Sequence, residues 1–179
     1  MTKRYVAFLR GINVGGHHKV PMADLRKLLE KLKFKNIVTI LNSGNALFDA
    51  DVDDPVKLED QIAVNLEKTF GFPVPTIIRD AETIRQLHED DPFRGVAVTK
   101  DIRLYVSLLK QDVDADLKLP WTSEDGSFRI VEKRDKMVLS ILDLAVSKTP
   151  KAMDALEKNY GKDITTRNWK TIVRVMGKL

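Results

Sequence analysis

The 179-residue sequence contains no cysteine and no long apolar run. The absence of cysteine excludes disulfide bonds, a thiolate nucleophile and a cysteine-ligated zinc site, and it agrees with a reducing compartment. No apolar stretch approaches the ~18 residues that a membrane-spanning helix needs. The N-terminal Thr2-Lys3-Arg4 is followed only by a strand-length apolar stretch, without the core of a signal peptide. We therefore expect a cytoplasmic protein that has no membrane partner.

Positive charge is concentrated towards both ends of the chain, whose formal net charge is +4. Residues 1–35 contain 9 Lys/Arg and 2 Asp/Glu, and residues 148–179 contain 8 and 3, whereas residues 36–147 contain 13 and 21. If the two ends meet in space, they form a basic face that attracts phosphates or an acidic partner. Solvated lysines on helix surfaces explain the same pattern without any partner.

The first 80 residues show the pattern of a ferredoxin-like half. Apolar residues on both sides of the segment Lys3 to Leu9 predict a central strand that is covered on both faces. Pro21 suits the first turn of an amphipathic helix, and Asp54-Pro55 and Gly71 suit the two ends of another. With strands predicted over 37–41, 46–48 and 74–78, the order is β-α-β-β-α-β, the split βαβ arrangement.

Residues 81–179 predict a second α+β half with an antiparallel sheet and two terminal helices. A strand over 102–109 alternates apolar residues with Arg103, Tyr105 and Ser107, which predicts one solvated face. A hairpin follows over 128–132 and 137–142. The last helix is expected to be capped by Thr165 or Thr166. We expect the two halves to form one interlocked unit, and the sequence leaves the oligomeric state open.

The glycine-rich loop at residues 10–20 is the strongest candidate for a ligand site. Gly11, Gly15 and Gly16 can adopt positive φ and let another group approach, while flanking cations and the helix start favour negative charge. The loop is not a Walker motif, because His17-His18 stand where Lys-Ser/Thr is required, and it lacks the second Rossmann glycine. A generic anion nest remains, beside the alternative that the glycines serve only the turn.

Metal and serine chemistry have little support. His17 and His18 are adjacent and point apart in extended backbone, and His88 is distant in sequence. The segment around Ser43 is not a Gly-x-Ser-x-Gly elbow, and a tight turn explains it better. We predict no metal and no cofactor, and the sequence does not decide whether the protein is an enzyme.

Three motifs carry a family resemblance. They are the Arg10-Gly-Ile-Asn-Val-Gly-Gly stretch with Lys19, Pro21 and Met22, the Ser43-Gly44-Asn45 turn, and the Thr166-Arg167-Asn168-Trp169 box. Together they resemble the bacterial family known as domain of unknown function 1697, over nearly the whole chain. The resemblance implies a cytoplasmic α+β protein. It implies no catalytic residue, because the family has no assigned biochemical function.

We predict that the polar residues of these motifs converge on one surface site for a small molecule bearing phosphate or carboxylate. Two alternatives remain: a nucleic-acid-binding module, and a protein-interaction module that uses the basic face. The strands at 5–8 and 37–40 lack the Gly-aromatic-x-aromatic pattern of RNA-binding sheets, which weakens the first alternative. The predicted ligand-binding residues are Arg10, Asn13, Gly15, Gly16, Lys19, Ser43, Asn45, Arg167 and Asn168.

Overall fold

The computed structural model describes residues 1–179, and the chain divides into two units. The first comprises Met1–Glu89 and Val173–Leu179, and the second comprises Asp90–Ile172. Each unit contains helices and one sheet, and all strand pairs in both sheets are antiparallel. The predicted α+β class is therefore confirmed.

The first unit contains a four-stranded sheet. Its strands are arranged in the order β2-β3-β1-β4. The elements follow the predicted sequence of strands and helices, with one more helix at the end. They are β1 (Lys3–Leu9), α1 (Met22–Lys31), β2 (Lys35–Ile40), β3 (Asn45–Ala50), α2 (Pro55–Phe70), β4 (Thr76–Asp80) and α3 (Ala81–Glu89).

Strand β1 is buried on both of its faces. Tyr5, Ala7 and Leu9 belong to the core cluster that also contains the buried leucines of α1 and α2. Val6 and Phe8, on the other face, are fully buried as well. The apolar residues on both sides of this segment thus correctly predicted a central, covered strand.

Helix α2 shows how local sequence defines the ends of an element. The side chain of Asp54 accepts hydrogen bonds from the amides of Val56 (3.0 Å) and Lys57 (3.3 Å), and Pro55 occupies the first turn. Gly71 ends the helix with a φ of 81°, in the left-handed region. These two ends confirm the prediction made from Asp54-Pro55 and Gly71.

The second unit contains a five-stranded sheet with the strand order β6-β7-β8-β5-β9. Its last helix continues beyond Ile172. The elements are β5 (Ile102–Leu109), β6 (Trp121–Thr122), β7 (Phe128–Arg134), β8 (Met137–Asp143), α4 (Thr149–Tyr160), β9 (Ile164–Asn168) and α5 (Trp169–Met176).

The prediction of one solvated face on β5 was wrong. Tyr105 is 9% exposed and Ser107 is fully buried. Tyr105 packs in a cluster with Leu156 and Tyr160 of α4. Helix α4 therefore covers the face of β5 that the alternating polar residues predicted to be exposed to solvent.

The start of the last helix was also predicted wrongly. Residues Ile164–Asn168 form a strand, in which Arg167 pairs with Val106 of β5. The hydroxyl groups of Ser107 and Thr166 lie 2.8 Å apart and link the two strands. Helix α5 begins only at Trp169. The β-branched run before Arg167 finds a strand partner, and this pairing overrides the local capping pattern.

No helix of this chain is both long enough and apolar enough to cross a membrane.

Candidate functional site

The glycine-rich loop, residues 10–20, forms a tight hairpin between β1 and α1. Val14 and His17 form an antiparallel bridge, in which the amide of His17 donates to the carbonyl of Val14 (3.0 Å). Gly15 and Gly16 occupy the two middle positions with φ values of 59° and 78°. These are the signs of a type I′ turn, which requires positive φ at both positions. The two glycines are therefore explained by the turn itself.

Asn13 holds the glycine-rich loop to its surroundings. Its side-chain amide nitrogen donates to the carbonyls of Val20 (2.9 Å) and Asn42 (2.7 Å), and its oxygen accepts from the amide of Val20 (2.8 Å). All of its side-chain polar atoms thus contact the protein. Asn13 connects the loop to the turn that joins β2 and β3, and this geometry favours a positioning role.

Gly44 brings that turn into contact with the glycine-rich loop. Its carbonyl accepts from the amide of Leu9 (2.8 Å), and its φ is 88°. A Cβ atom added there would lie 2.7 Å from Cδ1 of Ile12 and 2.9 Å from Cβ of Leu9. Only glycine fits this approach without displacing its neighbours.

Ser43 and Asn45 differ in their exposure. Asn45 is fully buried, and its side-chain nitrogen donates to the carbonyl of Ile40 (2.8 Å) and to Oγ of Ser43 (3.1 Å). Ser43 is exposed. The structure thus brings the Ser43-Gly44-Asn45 motif next to the loop, with the Asn45 side chain turned into the protein.

A cleft of about 310 Å³, called here the loop cleft, opens beside these two segments. Lys19 is exposed and forms no ion pair in the chain. Pro21 precedes α1, and no side chain accepts a hydrogen bond from the first amides of that helix. Asp24, in its first turn, is the acidic group nearest in sequence. The lining residues are Asn13, Gly16, Lys19, Val20, Pro21 and Asn42.

Arg10 and the two histidines lie outside the lining of the loop cleft. Arg10 is half-buried, and its amide donates to the carbonyl of Pro75 (2.9 Å). The ring of His18 stacks on Phe72, with 4.5 Å between the ring centroids, and His17 is exposed. No group of three or more histidine, aspartate or glutamate side chains is arranged to hold a metal ion.

Arg167 and Asn168 belong to the second unit. Arg167 is 7% exposed, and its Nη1 donates to Oγ1 of Thr165 (2.8 Å) and to the carbonyl of Thr166 (3.2 Å). Burial lowers the pKa of its guanidinium to about 10. Asn168 caps α5, because its Oδ1 accepts from the amide of Lys170 (2.9 Å). Whether they share a site with the glycine-rich loop stays a prediction.

A second cavity, of about 360 Å³ and called here the Lys100 pocket, lies in the second unit. Three of its lining residues are cationic. Sequence reasoning missed the two in the acidic middle of the chain, since no local motif marks them. The pairing of β5 with β9 brings them to the start of α5. The lining residues are Val98, Thr99, Lys100, Ile102, Arg103, Leu104, Asn168, Trp169 and Lys170.

The sequence and the fold were compared with known proteins. The sequence profile of the family described as "protein of unknown function (DUF1697)" matches residues 1–134. The first two recognised motifs fall in this range, and the Thr166–Trp169 box lies outside it. A conserved bacterial protein of Streptococcus pneumoniae has a similar solved structure, with 22% identity, a TM-score of 0.73 and 99% of each chain covered. The comparison with curated proteins found no significant match.

Proposed function

The chain belongs to the DUF1697 family of unknown function, and we propose that it binds a small phosphate- or carboxylate-bearing ligand in the loop cleft. The observation that carries this proposal is an exposed lysine without an ion pair, Lys19, in a concave site at the start of a helix. A cation of this kind gains an acceptor when an anion enters the cleft.

Lys19 should contribute more to the binding free energy of an anion than the start of α1 does. The uncapped start of α1 attracts an anion by roughly 0.3 to 1 kcal/mol. A hydrogen bond to a charged group contributes about 1.5 to 3 kcal/mol. Lys19 should therefore supply most of the affinity, and Asp24 in the first turn should oppose it.

The other predicted residues have supporting roles in this proposal. Asn13 and Asn45 keep the loop and the neighbouring turn in place through their bonds to backbone carbonyls. Gly15 and Gly16 form the hairpin tip, and Gly16 lines the cleft. Arg10 and Ser43 lie in the same two segments but outside the lining of the cleft, and we keep them in the proposed site on the proximity of those segments alone. Arg167 and Asn168 remain the part of the proposal with the least support, because their side chains already serve β9 and α5.

The proposed binding is tested by calorimetric titration of the full-length protein with inorganic phosphate, pyrophosphate and mononucleotides. Lys19→Met should weaken the binding about tenfold or more, since it removes one charge-assisted hydrogen bond. Lys27→Met is the matched control, because Lys27 is an exposed lysine of α1 that does not line the cleft. Asp24→Asn should tighten the binding. If Lys19→Met bound these anions as well as the wild type, the proposal would be wrong.

Salt dependence separates this proposal from the nucleic-acid alternative. Binding through Z phosphates weakens with the logarithm of salt concentration at a slope of about −0.7Z to −0.9Z. A cleft that holds one phosphate should give a much shallower slope and saturate with mononucleotides. If the protein bound neither small anions nor nucleic acids, the result would favour a protein-interaction module that uses the basic face.

We further infer the ferredoxin-like arrangement for the first half of the chain. The strand order β2-β3-β1-β4 with antiparallel neighbours, and the crossings through α1 and α2, support it. A bacterial cytoplasmic location is our proposal as well, and the absence of cysteine agrees with it. Cell fractionation of a bacterial host tests the location.

A further inference from the structure

The Lys100 pocket has the size of a small-molecule site. Its volume of about 360 Å³ falls at the lower end of the range of ligand pockets, roughly 300 to 1,000 Å³. All of its lining residues belong to the second unit. It therefore forms without any residue of the loop cleft.

The charge of the pocket is positive. Lys100, Arg103 and Lys170 line it, and none of them forms an ion pair in the chain. No acidic residue belongs to the lining. Asp143 pairs with Ile102 in the sheet, but its Oδ1 accepts from the amide of Ala145 (2.9 Å). Three like charges around one concavity repel each other, and a bound anion would offset that repulsion.

Backbone carbonyls hold the Arg103 side chain in place, and some of its N–H donors remain available for a ligand. Its Nη1 donates to the carbonyls of Lys100 (2.7 Å) and Ile102 (3.1 Å). The remaining guanidinium nitrogens have no acceptor in the chain. Because the start of α5 is already capped by Asn168, the three side-chain cations, and not the helix end, provide the attraction for an anion.

One wall of the pocket is apolar and aromatic. Trp169 lines it, and its ring is oriented by an edge contact with Phe93, at 5.4 Å between centroids and 71° between planes. Val98, which is 58% exposed, and the half-buried Ile102 contribute further apolar surface to the lining. Apolar and aromatic lining combined with cations in one pocket suits a ligand with a planar ring and an anionic group.

From the cations and this apolar lining, we infer that the Lys100 pocket is a second binding site, which shares no lining residue with the loop cleft. Its ligand is a small phosphorylated molecule that carries a planar ring, of the size of a nucleoside monophosphate. The phosphate contacts Lys100, Arg103 and Lys170, and the ring packs on the wall that contains Trp169.

Tryptophan fluorescence tests this inference in the full-length protein. The chain has 2 tryptophans, and Trp121→Phe leaves Trp169 as the only reporter while it keeps an aromatic ring against Phe128. In this background, AMP should change the fluorescence in a saturable manner. Adenosine, which lacks the charge, and inorganic phosphate, which lacks the ring, should each bind at least tenfold more weakly.

Substitutions of the exposed cations assign the signal to the pocket. Lys100→Met and Lys170→Met should each weaken AMP binding about tenfold or more, at an unchanged melting temperature. Lys158→Met, an exposed lysine of α4 outside the pocket, is the matched control. Lys19→Met should leave this signal unchanged, which distinguishes it from binding in the loop cleft.

Three results would overturn the inference. The first is no saturable signal at millimolar AMP. The second is equal binding of adenosine and AMP, because the cations would then contribute nothing. The third is a signal that Lys19→Met removes and Lys170→Met leaves intact. Binding of AMP that depends on Lys100 and Lys170 would support it, whether or not the loop cleft binds an anion.

Discussion

Replacing Gly44 by alanine measures how tightly the β2–β3 turn packs against the glycine-rich loop. An alanine in the left-handed region, at a φ of 88°, costs roughly 1 to 2 kcal/mol of backbone strain. The substitution also lowers the conformational entropy of the unfolded chain, which offsets about 0.4 to 1 kcal/mol of this cost. The new Cβ would also lie 2.7 Å from Cδ1 of Ile12 and 2.9 Å from Cβ of Leu9. Overpacking of this kind costs about 1 to 3 kcal/mol. Gly44→Ala should therefore lower the free energy of unfolding by about 1 to 5 kcal/mol, with the middle of the range at ~3 kcal/mol.

Gly71 provides a matched control for this substitution. It lies in the same unit with a φ of 81°, but a Cβ atom there would meet nothing within 4 Å. Gly71→Ala should therefore cost only about 1 kcal/mol, the price of the backbone strain. Equilibrium unfolding in urea, followed by circular dichroism, gives both values. Equal destabilisation by the two substitutions would refute the steric argument.

The contact with Ile12 can be tested separately. Ile12→Val removes Cδ1, and in the wild type it should cost about 0.5 to 1.5 kcal/mol because Ile12 is buried. In the Gly44→Ala background the same change relieves the shortest contact, so it should cost less or even stabilise. Additive effects of the two substitutions would contradict the distances in the structure.

Two further predictions concern the second unit. Arg167→Ala should destabilise the protein by about 2 to 5 kcal/mol, since it leaves a cavity at a buried position and removes the hydrogen-bond donor to Thr165. Thermal unfolding measures this loss. A melting temperature equal to that of the wild type would instead support a binding role for Arg167. Hydrogen bonds from Lys151, Ser127 and Ser123 lower the pKa of Asp125 well below its usual range. This stabilisation is therefore fully present above about pH 4, the unfolded value, and is lost as the pH falls. Asp125→Asn should reduce the loss of stability between pH 6 and pH 2 in urea unfolding, and an unchanged pH dependence would contradict this cause.

Local sequence was sufficient where a structure is defined by neighbouring residues. Asp54, Pro55 and Gly71 predicted both ends of α2, because a cap needs only a side chain and the amides two or three positions further on. The α+β class was predicted from the periodicity of apolar residues, and the family from short motifs. Both signals depend on residues that are close together in the sequence.

The glycine-rich loop depends partly on its own sequence and partly on contacts with distant segments. Its glycines could be read as a turn or as a ligand cradle, and the sequence did not decide between them. The bonds from Asn13 to Val20 and Asn42, and the close approach of Gly44 to Ile12, appear only when the segments meet in the fold. These contacts bring the first two motifs together in the fold.

Tertiary structure alone decided the roles of residues 164–170. The motif around Arg167 predicted a helix start, but a strand partner in β5 was available and its backbone hydrogen bonds outweighed the local preference. The same pairing brings Arg103 and Lys170, 67 positions apart in the chain, to one pocket. The sequence by itself determined the class, the two ends of α2 and the central strand of this protein. Which distant charges share a surface depends on strand pairing, because charge carries no local periodicity that reveals its partner.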